Sequence, residues 1–242
     1  MPEVRAGDVV GELIAGAAQA QGTPVAPGDV LVVTQKIVSK AEGRTVDLKT
    51  VEPSAEARKL GSETGRDPRL VELILRESRG IVRMDPARGI LITETRHGFV
   101  CANSGIDASN VPGDDVVSLL PEDPDMSARR IRGEVSRATA GIVVAVLISD
   151  TFGRAWREGQ TNFAIGAAGI DPIKDYRGTA DAYGNILKVT RAAIADELAS
   201  AAELVTGKAD GIPVAIARGY PYVPGEGGIA SLIRDPSTDL FR

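Results

Sequence analysis

This 242-residue sequence predicts a mixed α/β or α+β fold, on three observations. Short aliphatic runs that read as buried strands, such as VLVVT (30–34), IVVAVLIS (142–149) and PVAIARG (213–219), alternate irregularly with helix-patterned segments. Aromatic residues are only 4% of the chain against 43% hydrophobic overall, so the core has to be aliphatic. No repeat, low-complexity tract or linker cleanly divides the sequence, so any two subdomains are interleaved within residues 1–242.

In chain order, GDVVGELIAGAAQ (7–19) reads as a helix capped by Asp8, with Val9, Leu13, Ile14 and Ala17 on one face. A buried strand follows at 30–34, and charges then interrupt the apolar pattern in QKIVSKAEGRTVDL (35–48). RDPRLVELILRES (66–78) has a strong helix start, Asp67 at the cap and Pro68 in the first turn. ILITETRHGFVCA (90–102) predicts a hairpin turning at His97-Gly98, leading into the polar loop NSGIDASN (103–110). PDMSARRIRGEVSRA (124–138) predicts a surface helix. After the strand at 142–149 comes a Gly-rich region to about 188. TRAAIADELASAAELV (190–205) then predicts a helix, 213–219 a buried strand, and the tail from Tyr220 loops with one short helix.

Formal net charge is -5, which argues against a nucleic-acid binder, since that class needs a basic face. A single cysteine, Cys101, excludes an intrachain disulfide and a cysteine zinc cluster. No apolar run reaches the roughly 18 residues of a membrane span. The start MPEVRAGDVV lacks a signal-peptide pattern, so the expectation is a cytoplasmic protein with no membrane partner.

The P-loop pattern G-x-x-x-x-G-K-[ST] is absent. Thr206-Gly207-Lys208-Ala209 holds the Gly-Lys pair but has Ala202 where the first glycine belongs. GEGG (225–228) can offer backbone amides to an anion or be a plain turn. Asp107, Ser109 and Asn110 follow one apolar strand, and Asp150-Thr151 follow another. Carboxylates and hydroxyls converging from two strand ends are the hard ligands Mg²⁺ and Mn²⁺ prefer. Equally, Asp107 can form an Asx-turn and Asp150 can cap a helix. Arg154 and Arg157 share a face if a helix begins near Thr151, where they would neutralise transferring phosphate oxygens; a solvated face is the alternative. Lys36 and Lys40 divide in the same way between phosphate contact and surface. Nothing in the pattern makes the lone His97 catalytic, and Cys101 reads as a core residue.

Several long segments, in order, resemble the coenzyme F420-0:L-glutamate ligase (γ-glutamyl ligase) family. They are GDVLVVTQKIVSKAEGR (28–44), SGIDASNV (104–111), LLPEDPDMSA (119–128), ISDTFGRAWREGQTNFAIGAAGI (148–170), KDYRG (174–178), DAYGN (181–185), ADE (195–197) and DGIPVAIARG (210–219). The resemblance covers nearly the whole chain. It implies a family-specific α+β fold without P-loop or ATP-grasp domain, an intertwined homodimer, and use of Mg²⁺ or Mn²⁺ (two ions) helped by K⁺. It implies that GTP phosphorylates a carboxylate of the deazaflavin F420-0, and that L-glutamate attacks the acyl phosphate, giving γ-glutamyl-linked F420, GDP and phosphate. A related amide ligase on another carboxylate, or a non-catalytic nucleotide binder, are the alternatives.

By motif, the resemblance makes Asp107, Asp150 and Thr151 metal ligands. Nucleotide contacts fall on Met1, Pro2, Glu3, Val4, Gln35, Lys40 and Asn110, and on Thr206, Gly207, Lys208, Ala209, Asp210, Gly211 and Ile212. Arg154 and Arg157 are assigned charge neutralisation. Lys208 departs from the pattern, standing near where archaeal members carry an acidic ligand for the second metal, and the usual short strand ahead of the MPEV-like segment has no counterpart. The sequence ends at Arg242, short of the C-terminal flavin-binding domain of some bacterial relatives, so ligase activity alone is expected.

Overall fold

The computed structural model describes residues 1–109, 113 and 115–240, and it is an α+β fold. Its α-helices are α1 (Val10–Ala20), α2 (Gln35–Ala41), α3 (Ala55–Thr64), α4 (Pro68–Arg76), α5 (Pro124–Ala138) and α6 (Ile194–Thr206). Its strands are β1 (Val30–Thr34), β2 (Thr45–Asp47), β3 (Ser78–Asp85), β4 (Ile90–Thr95), β5 (Val100–Ala102) and β6 (Val116–Ser118). The later strands are β7 (Ala145–Arg154), β8 (Arg157–Ala168), β9 (Lys174–Asp175), β10 (Arg191–Ala192) and β11 (Val214–Ala217).

The main sheet has the order β11-β1-β7-β8. β1 and β7 are parallel and the two outer pairings antiparallel. Central strands flanked on both sides cannot face water, and Val30, Leu31, Val33, Val146, Leu147 and Ile148 are all fully buried. Each such side chain contributes roughly 1.5–3 kcal/mol by leaving water. The aliphatic composition is spent here, with α1 and α5 packed together against the sheet. A second, separate core gathers Leu48, Val51, Val71, Ile74, Leu91, Ile106 and Val117. Its residues lie between β1 and β7 in sequence, on the sheets β3-β4-β5 and β2-β6 and the helices α3 and α4. Among the described residues no helix is long and apolar enough to cross a membrane.

Several expected elements stand. β1 covers 30–34, and β4 and β5 pair antiparallel about a turn at His97-Gly98, where Gly98 takes φ +98°. α4 starts at Pro68 with the Asp67 side chain accepting from the Arg69 amide. Other elements differ. Asp8 does not cap α1; its carboxylate accepts from the Arg5 amide at 2.7 Å. The orphan amide of Gly11 instead donates to Glu134 of α5 at 2.8 Å, a cap supplied from 123 residues away. Residues 35–41, whose pattern the charges obscured, form α2, and α3 follows Ser54, whose hydroxyl accepts from the Ala57 amide. The 124–138 helix is not a surface helix, since Ala128, Ile131 and Val135 are fully buried. β11 lies at the edge of the main sheet and is only partly buried. No helix begins at Thr151. β7 runs on to Arg154 and turns into β8, with Arg154 opposite Arg157.

Candidate active site

β1 stops at Thr34, opposite Ser149 of β7, so from Asp150 onward β7 has a strand neighbour only in β8. A register shift between Ile148 and Ser149 marks a bulge at the same point. The sheet therefore opens where Asp150 and Thr151 lie. The opening is a cavity of about 390 Å³, floored by Ser149–Thr151 and walled by Gln35, Lys36 and Lys40 of α2, by residues 1–4 and by the segment after α6.

Most of the residues assigned by motif converge here. Met1, Pro2, Glu3, Val4, Gln35, Lys40, Thr206, Gly207, Lys208, Ala209, Gly211 and Ile212 all border this cavity, as do Asp150 and Thr151. The Lys40 ammonium stands 3.7 Å from Glu3, and the Gly7 amide donates to Ala41 at 2.9 Å, so the first residues are held on α2. Asp210 is not in the lining. Its carboxylate turns back beneath Gly207 (φ +58°), at a position a side chain on 207 would fill. Asn110 lies outside the described residues. Lys36, Asn162 and Glu203 also reach the site. Asn162 carries a signal only to a reader who sees the hairpin, because the register sets it opposite Thr151, whose hydroxyl donates to Asn162 Oδ1 at 2.7 Å. Glu203 then accepts from the Asn162 amide at 3.1 Å, fixing this end of β8 to α6.

Asp107 arrives from the other core. Asn103, Ser104 and Gly105 all take positive φ, a sharp turn held by the Thr93–Ser104 hydroxyl pair at 2.8 Å and by Arg66 on Asn103 at 2.5 Å. Burial lowers the pKa of Arg66. The Asp107 backbone then exchanges two hydrogen bonds with Ser118. Its carboxylate accepts from the Ser109 amide at 2.7 Å, the Asx-turn reading, and pairs with Lys36 at 2.8 Å. Burial would raise this carboxyl, but the Lys36 and Ser109 hydrogen bonds outweigh it, and it stays below the usual carboxylate range.

Asp150 shows the opposite balance. Burial pushes its carboxyl up to about 7, the negative charge of Asp107 adds to the rise, and Lys208 and Lys36 offset it in part. Lys208 does not pair with it but donates to Thr151 Oγ1 at 3.1 Å. Gln35 is fully buried at the cavity wall. Its Oε1 accepts from Ser39 at 2.8 Å, while its Nε2 has no partner among the described residues. Asp107 is not in the cavity lining, but its charge raises Asp150; with Thr151 the two mutually repelling carboxylates would offer hard oxygens of the kind that suit Mg²⁺ or Mn²⁺. Among the described residues no cluster of three His, Cys, Asp or Glu exists, so water and ligand oxygens would complete the shell.

Arg154 and Arg157 are not brought to this cavity. They are exposed at the hairpin tip, and Arg154 donates to the Glu158 carbonyl at 2.9 Å, because β7 continues as strand where a helix was expected. His97 Nε2 lies 3.0 and 3.1 Å from the Pro121 and Glu122 carbonyls, which ties the β4–β5 turn to the segment before α5. Cys101 is buried and its thiol is pushed up to about 12, first by burial, which makes it inert. Just after GEGG, the Ile229 amide donates to the Asp125 carboxylate at 3.1 Å, an anion supplied by the chain itself.

The family model described as F420-0:Gamma-glutamyl ligase matches residues 1–219. The chain is 48% identical to the coenzyme F420:L-glutamate ligase of Methanothermobacter thermautotrophicus, covering 100% of this chain and 96% of that protein. It is 48% identical to the ligase of the same name from Methanopyrus kandleri, over 99% of the chain and 94% of that protein. For that of Methanocaldococcus jannaschii the figures are 46%, 90% and 86%.

Proposed function

Because the chain belongs to the F420-0:γ-glutamyl ligase family, we propose that it is a ligase joining L-glutamate to coenzyme F420-0, driven by GTP through an acyl phosphate. The observation that carries the reading is Asp150, a carboxylate with no ion-pair partner among the described residues, set in a cavity beside Lys36 and Lys208. Asp150, Thr151 and Asp107 would hold two Mg²⁺ or Mn²⁺ ions, which supply charge neutralisation at phosphate oxygens. Lys208 departs from the acidic pattern expected for the second ion. Its ammonium on Thr151 is placed to meet a phosphate oxygen directly.

The chemistry balances in two steps. An acceptor carboxylate oxygen attacks the γ-phosphorus of GTP, and the bond to the β-phosphate oxygen breaks, releasing GDP. The amine of glutamate then attacks the acyl carbon, the carbon–oxygen bond breaks, and phosphate leaves as the amide forms and the nitrogen gives up its proton. Residues 1–4, 206–209, 211 and 212 border the cavity and would position the triphosphate, which is most of what phosphoryl transfer asks of a protein. The unpartnered Gln35 Nε2 is a donor for the nucleotide. A homodimer would cover the exposed Tyr183 and Val189 of the arm between β9 and β10.

The test is GDP release and product mass with F420-0, glutamate, GTP and Mn²⁺, with and without K⁺. Release that requires both F420-0 and glutamate, with a product heavier by glutamyl residues, supports the reading. Release without either, or ATP replacing GTP at equal efficiency, would sink it in this form. Sedimentation at micromolar concentration tests the dimer.

A further inference from the structure

The protein has four phenylalanines, and three of them, Phe99, Phe152 and Phe163, wall one cavity of about 330 Å³. An aliphatic core has no packing need to gather its few aromatics at one place. The Phe152 and Phe163 rings stack with centroids 5.9 Å apart and 23° between planes, and Phe99 tilts onto Phe152 at 6.2 Å. Phe152 and Phe163 are only half buried, so their ring surface remains open to a ligand.

The two cavities are lined by consecutive residues of the same β7–β8 hairpin. On β7, Ser149–Thr151 border the first cavity and Phe152-Gly153 the second. On β8, Asn162 borders the first and Phe163-Ala164 the second. Asp150, which lines the first cavity, is the cross-strand register partner of Phe163, which lines the second. At the second cavity Asp196 Oδ1 accepts from the Ala164 amide at 3.0 Å, which leaves Oδ2 for the polar edge of a heterocycle. Arg234 and Asp239 stand in the same lining. An apolar, aromatic pocket with a few polar groups fits a planar ring, which it would orient.

We propose that the Phe99–Phe152–Phe163 cavity binds the planar deazaflavin ring of the acceptor, so that its carboxylate tail passes Asp150 into the nucleotide cavity. The inference rests on the ligase reading and adds the place where the acceptor is recognised. Two substrates that must exchange a phosphoryl group would then enter from opposite sides of Asp150.

The test uses Phe152→Leu and Phe163→Leu, which keep apolar volume and remove the π face, with Phe163→Tyr as the conservative control. Binding of F420-0 is followed directly by its intrinsic fluorescence, GTP affinity is measured separately, and KM is determined for each substrate. Each leucine variant is expected to weaken F420-0 binding and raise its KM about tenfold, with GTP affinity and melting temperature unchanged and the tyrosine variant near wild type. F420-0 affinity within twofold of wild type in both leucine variants would overturn the proposal, as would an equal loss of GTP affinity. If the wild type binds F420-0 without turnover, the ligase reading fails while the titration still decides the cavity.

Discussion

Asp107 and Asp150 are the same side chain in two surroundings, and they titrate in opposite directions. The chain itself satisfies Asp107, through a lysine ion pair at 2.8 Å and hydrogen bonds from Ser109, so its charge is stabilised despite burial. Asp150 receives no such pair among the described residues, and burial beside Asp107 pushes it up to about 7. The available ammonium, Lys208, is committed one residue further on, at Thr151. The contrast teaches that a carboxylate's role is set by who answers its charge. The chain's own Lys36 answers the charge of Asp107, whereas Asp150 is left without an ion-pair partner among the described residues.

The comparison breaks most sharply if Asp150 loses its charge. Asp150→Asn keeps the shape and should lower GTP-dependent glutamylation by more than about 100-fold, read as GDP release, with the circular dichroism spectrum unchanged. Near-wild-type turnover would show that Asp150 is not the cation site.

The second effect is on stability. A carboxyl whose folded pKa lies above its unfolded value binds its proton more tightly when folded. The contribution of Asp150 to stability is therefore fully present below its unfolded pKa of 3.8 and is lost as pH rises from there through about 7. Metal-free protein should lose several degrees of melting temperature from pH 5 to 8, less so in Asp150→Asn, and Mn²⁺ should restore it at pH 8. The same slope in both proteins would contradict the burial argument.

Lys36→Met tests the other carboxylate. With its partner gone, Asp107 should rise toward the ordinary range, and kcat/KM for GTP should fall about tenfold. Unaltered GTP kinetics would place the ion pair outside the working site. The smallest change expected is for Lys208→Ala, a two- to fivefold fall in GTP affinity, because that ammonium is exposed and screened. Lys208→Asp sharpens the point further: equilibrium dialysis should show an additional Mn²⁺ bound per chain, and unchanged stoichiometry would argue against Lys208 standing in for a cation ligand.

Much of this was legible in the chain. The Asp67-Pro68 start of α4, the 30–34 strand and the 90–102 hairpin rest on neighbours in sequence, and each formed as read. That Met1 to Val4 and most of Thr206 to Ile212 border one cavity was legible only through the long motifs, for these stretches have no local pattern that marks a cavity. What failed depended on distant partners. Glu134 caps α1 in place of Asp8, and charged residues on α5 concealed a buried face of Ala128, Ile131 and Val135. Arg154 and Arg157 share a helix face in the sequence, yet they stand across a hairpin tip in the fold.

By itself the sequence determined the aliphatic strands, the capped helix and the order of the motifs, since these follow from side-chain volume, backbone preference and hydrogen bonds within a few residues. Only the tertiary structure decided that β1 ends one residue short of Asp150, that Asp107 swings in from a second core, and that three phenylalanines meet beside them. Those are long-range register and packing choices. A pKa or a cavity depends on every charge and every ångström of burial around a group, and no local stretch of chain contains that sum.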